Sequence, residues 1–82
     1  MMIRVYEGVY INPRHVVSIE LSDFYNEKVH VYFVNGNAEL YAFGTKDEAV
    51  NFIDRVVRAN NSLDIDKSTF EKLINTVKFL KL

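Results

Sequence analysis

Residues Lys28 to Phe43, KVHVYFVNGNAELYAF, are where the fold is decided. Two alternating runs meet at Asn35-Gly36, a dipeptide that tolerates positive φ and so favours a two-residue hairpin turn. With those two as the turn, Val34 lies opposite Asn37 and every other pair is fixed. Val31 then faces Leu40, Phe33 faces Ala38 and Val29 faces Ala42, an apolar side whose alanines would admit a helix at close range. On the reverse side His30 faces Tyr41, Tyr32 faces Glu39 and Lys28 faces Phe43, rings mixed with polar edges. Gly44-Thr45-Lys46-Asp47-Glu48 follows at once, and Thr45 with Glu48 forms an S/T-x-x-E capping box. The hairpin therefore runs straight into a helix.

Upstream, residues 2–7 and 9–11 read as short strands parted by a bulge or turn at Gly8. Asn12-Pro13 is a turn dipeptide. Val16 to Leu21 alternates, with Val17, Ile19 and Leu21 on one side and Val16, Ser18 and Glu20 on the other. A polar loop over 22–27 carries Phe24 and Tyr25. Downstream, Ala49, Phe52, Ile53, Val56 and Val57, with Val50 on the flank, form the apolar stripe of a helix from Lys46 to about Asn60, with Asp54, Arg55 and Arg58 on its wet side. A second helix is expected from Asp66 or Ser68 onward. Phe70, Leu73, Ile74, Val77 and Leu80 line its apolar face, with Phe79 and Leu82 at the margin. Strands followed by helices predict one α+β domain over residues 1–82, an antiparallel sheet of three or four strands with two helices packed on it. Helix one should lie on the alanine-bearing side. Whether helix two joins it or covers the aromatic side is left open by the pattern.

Composition narrows the function. Ten basic and eleven acidic residues give a net charge of −1, without the basic surplus of an electrostatic nucleic-acid binder. No cysteine is present, so disulfides and thiolate metal sites are excluded and a reducing, cytoplasmic setting is expected. The opening residues Met1 to Glu7 lack the layout of a secretion signal, and no apolar run reaches membrane-spanning length.

Chemistry has few footholds. His15 and His30 belong to no metal-ligand spacing, and a strand histidine beside tyrosines is more often a packing residue than a base. Asp47-Glu48 and Asp64/Asp66 sit where helix capping accounts for them. The serines lack a Gly-x-Ser-x-Gly elbow, and three scattered glycines make no phosphate loop. No catalytic residue, metal site or cofactor is expected. The rings are the better candidates. Tyr32, Tyr41 and Phe43, with His30 beside them and Tyr6 and Tyr10 nearby, would form a patch of the type enriched at protein interfaces. The stripe Phe70, Leu73, Ile74 and Val77 is a second interface candidate.

Gly8-Val9-Tyr10-Ile11-Asn12, Val16-Val17-Ser18-Ile19-Glu20, the run Val29 to Val34 with Asn35-Gly36, and Thr45-Lys46-Asp47-Glu48-Ala49 together resemble the small FlbD/SwrD-type bacterial flagellar and swarming proteins. The resemblance covers residues 8 to about 57. It departs in the loop 22–27, where Phe24-Tyr25 replaces the Pro-Asp-Thr of that pattern. It implies a small β-plus-helix module with a regulatory or adaptor role, and carries over no catalytic or binding residue. The expectation is a non-enzymatic module, an adaptor, regulator or inhibitor, that binds another protein and forms a homodimer. The alternatives are a small nucleic-acid-associated regulator encoded by a phage or mobile element, and an enzyme or metal protein using His30 or His15.

Overall fold

In the computed structural model, which describes residues 2–25, 27–61 and 76–79, an α+β arrangement is built from six strands, a 3-10 turn and one helix. Strands β1 (Ile3–Tyr6) and β2 (Val9–Ile11) pair as a two-stranded antiparallel sheet. The turn between them is Glu7-Gly8, with Gly8 at φ +80°. Asn12 then caps the 3-10 turn Pro13–His15, its side-chain oxygen accepting from the Arg14 N–H at 3.0 Å.

The main sheet holds β3 (Val16–Leu21), β4 (Lys28–Phe33), β5 (Ala38–Ala42) and β6 (Thr76–Lys78) in the order β5-β4-β3-β6. All of its neighbours are antiparallel. Helix α1 (Lys46–Asn61) follows β5. Thr45 Oγ1 accepts from the Glu48 N–H at 3.2 Å, as the capping box requires. The returning Glu48 carboxylate, however, takes the Gly44 N–H at 3.2 Å, one residue before the cap.

The hairpin register corrects the two-residue reading. The loop is three residues long, Val34-Asn35-Gly36. The Gly36 N–H donates to the Phe33 carbonyl at 3.0 Å, and the Phe33 N–H donates to the Asn37 carbonyl at 2.9 Å. Gly36 sits at φ +89°, and the Asn35 side chain accepts from the Asn37 N–H at 3.0 Å. This is the three-residue alternative in which glycine alone supplies the left-handed position. The strands shift by one residue in consequence. Val29 now pairs with Tyr41, Val31 with Glu39, His30 with Leu40, Tyr32 with Ala38 and Lys28 with Ala42. A one-residue slip exchanges the faces of β5 relative to β4. Tyr41, placed outside by the sequence pattern, lies inside, whereas Ala38, Leu40 and Ala42 are exposed on the other side.

A smaller shift of the same kind affects β3. The β3–β4 ladder is irregular between Val16 and Ser18, so both Val16 and Ile19 are fully buried and Val17 is not. The extra residue of the irregularity breaks the expected Val17/Ile19/Leu21 alternation at its first member.

Helix α1 packs its expected stripe, Ala49, Val50, Phe52, Ile53, Val56 and Val57, against Val16, Ile19, Val29, Val31 and Tyr41. Ile3, Val5 and Ile11 of the β1–β2 pair complete the same core. The small residue that admits close approach is Ala49 on the helix, not an alanine on the sheet. Asn60, expected only as a helix stop, ties the end of α1 to the 3-10 turn. Its Nδ2 donates to the carbonyls of Pro13 (2.6 Å) and Val16 (3.2 Å).

Among the described residues the second helix is not found. Thr76–Lys78, assigned to it by the apolar pattern, form β6 on the edge of β3, and Phe79 is buried in the core. A free strand edge with unmet hydrogen bonds outweighs the local helical pattern of this segment. Asp66, Ser68, Phe70, Leu73, Ile74 and Leu80 lie outside the described residues.

Candidate functional site

Directly opposed residues on neighbouring strands share a face, so the register sorts the side chains into rows. One row across the outer face is Thr76, Glu20, His30 and Leu40; the next includes Ser18, Tyr32 and Ala38. Glu20 organises this face. Its carboxylate accepts from the Tyr32 hydroxyl at 3.0 Å and from the Thr76 hydroxyl at 3.4 Å. The hydrogen bond to Glu20, and then its charge, push the Tyr32 phenol above its ordinary pKa. The His30 ring lies nearly parallel to Tyr32, 16° between planes and 6.4 Å between centroids. Tyr32 remains 36% exposed and Leu40 49% exposed.

The expected four-residue patch is therefore divided between the two faces. His30 and Tyr32 stand together on the outside. Tyr41 is 8% exposed and belongs to a ring cluster on the helix side. Its centroid is 6.0 Å from Phe52 and 5.9 Å from Tyr6, both edge-on, and Phe43 lies 5.1 Å from Phe52 and 5.8 Å from Tyr6. Burial, followed by the charges of Glu39 and Tyr6, raises the Tyr41 pKa. Tyr6 also reaches the sheet edge, where its hydroxyl accepts from the Ala42 N–H at 3.3 Å. Of the second candidate surface, Phe70, Leu73 and Ile74 lie outside the described residues, and Val77 is in β6.

The slip also creates features that the sequence pattern did not indicate. Glu39 joins the inner row with Ile19 and Val31. There it lines a cleft of about 410 Å3 together with Tyr10, His15, Phe33, Asn37 and Tyr41. Independently of the slip, the expected loop after β3 projects Phe24, 92% exposed, beside Tyr25, whose ring carries Lys28 Nζ at 4.5 Å. The signal for Glu39 was present, because Gly36 alone meets the positive-φ need of a three-residue loop. Nothing in the sequence chose between the two loop lengths.

The histidines do not meet at one site. His15 lies at the cleft, with Asn12 Nδ2 3.5 Å from its Nε2, while His30 is on the outer face. Among the described residues no group of three or more His, Cys, Asp or Glu side chains is disposed to hold a metal ion. Asp47 and Glu48 occupy the first turn of α1, and Asp64 and Asp66 lie outside the described residues. No described helix is long and apolar enough to cross a membrane. No family model, curated protein or solved structure matches this chain.

Proposed function

We propose that this chain is a small non-enzymatic protein-interaction module, a regulator or adaptor of the cytoplasm, that docks through the outer face of its sheet and self-associates there. The observation that carries the reading is the pair Tyr32 and Leu40, exposed on the face opposite the helix. Tyr32 is held in place by Glu20 and lies against His30, so its ring loses little freedom on docking. Tyrosine is enriched at the centres of protein interfaces. Ala38 and Ala42 beside Leu40 leave the surface low enough for a partner to approach. The regulatory role implied by the resemblance over residues 8–57 and the lack of cysteine agree with this reading. A nucleic-acid partner is disfavoured, because the Glu20 carboxylate beneath the rings would repel phosphate.

Sedimentation equilibrium over a concentration series tests the reading. The expected result is a dimer that dissociates on dilution. Leu40→Arg should return it to monomer with an unchanged far-ultraviolet spectrum, and Tyr32→Ala should weaken it by about 1 kcal/mol or more. A monomer at every concentration up to about 1 mM, where binding free energy falls to about 4 kcal/mol, removes self-association.

A further inference from the structure

The cleft between the β1–β2 pair and the β4–β5 hairpin opens on the helix side of the sheet, away from Tyr32 and Leu40. It is a shallow, largely open depression of about 410 Å3. Its walls are unequal in character. The exposed ring of Tyr10 and the half-buried ring of Phe33 supply aromatic surface, to which the buried Tyr41 adds little. Glu39 supplies the only carboxylate among the described residues that line it, and His15 is the only titratable base there. Among the described residues no lysine or arginine forms an ion pair with Glu39. This exposed carboxylate stands on a row otherwise formed by Val31 and Ile19, and Phe33 and Tyr41 line the same cleft. An anionic group beside several aromatic rings is the arrangement that receives an organic cation, which gains from the ring faces and from the charge together.

The geometry points to this cleft as a binding site for an alkylammonium group, its charge paired with Glu39 and its aliphatic stem packed on Tyr10, Phe33 and Tyr41. The site stands independently of the outer-face reading. Inward charges on edge strands also serve as guards against pairing between sheets. A guard requires only its charge, and would attract a cation weakly without saturable binding or contact with the walls of the cleft.

Two-dimensional amide NMR with n-butylammonium chloride and with n-butanol, at matched ionic strength, makes that distinction. The expected result is saturable shifts at Tyr10, His15, Glu39 and Tyr41 with a Kd on the order of 1 mM, and butanol binding at least threefold more weakly. Glu39→Gln, with spectral dispersion retained, should weaken butylammonium by about threefold to fivefold and leave butanol unchanged. Equal responses to the cation and the alcohol, or unaltered butylammonium binding in Glu39→Gln, would overturn the assignment. N-acetyl-lysine amide separates the sources of the same chemistry. Tighter binding than butylammonium assigns the site to a lysine of a polypeptide, and equal binding assigns it to a free amine; both uphold the ammonium site.

Discussion

Tyr41 marks the point where sheet and helix share their rings, with Phe52 on one side and Tyr6 on the other. Its inward position follows from one residue in a loop. Gly36 at φ +89° closes a three-residue turn, and each β5 side chain then takes the face opposite to that of a two-residue turn. The two registers make opposite demands on two tyrosines. Tyr41→Ala should cost about 3 kcal/mol in a chemical denaturation, as a large buried ring does. Tyr32→Ala should cost less than about 1 kcal/mol, as an exposed side chain does. The reverse ranking would restore the two-residue turn.

Among the elements, α1 was the most legible from sequence. Thr45 and Glu48 mark its start, and the six apolar residues of its stripe are all buried. Such a signal is local and repeated, so one error cannot displace it. The strands carry a period of two and depend on the loops that set their phase. The irregularity at Val17 and the extra residue in the β4–β5 loop each shift that phase, and neither is encoded by alternation. Alternation therefore puts His30 and Tyr32 together on one face, as observed, but puts Tyr41, Phe43 and Glu39 on the side opposite to the one they occupy. β6 was missed for a different reason. Three residues gain their strand form from the open edge of β3, a partner about sixty positions away in sequence. Asn60 was read as a helix stop because its acceptors, Pro13 and Val16, are equally remote. Asn60→Ala leaves those half-buried carbonyls short of a donor and should lower stability by about 1–2 kcal/mol, measured by urea denaturation. The helix itself should remain formed.

At the scale of the whole molecule, one apolar core joins both sheets and the helix, and Tyr41 lies within it. The Tyr41 pKa in the folded chain lies above the ordinary 10.0, first through burial and then through Glu39. Below that ordinary value both folded and unfolded chains carry the proton, and the stabilisation is fully present. As pH rises beyond it the unfolded chain ionises first, so stability falls until the pH has passed the raised folded value. Tyr32, also raised, acts in the same direction. Urea midpoints compared at about pH 9 and about pH 11 should show the loss, and Tyr41→Phe should reduce it.

The pairing of β6 with β3 joins residues about sixty positions apart. Closing a loop of about sixty residues costs more entropy than forming the adjacent hairpins, so the β3–β4–β5 ribbon can assemble while one flank of β3 is still bare. Thr76–Lys78 then supply the missing partner along Ser18, Ile19 and Glu20. Within one copy, the same pairing closes the β3 flank that would otherwise lie open as a sheet edge.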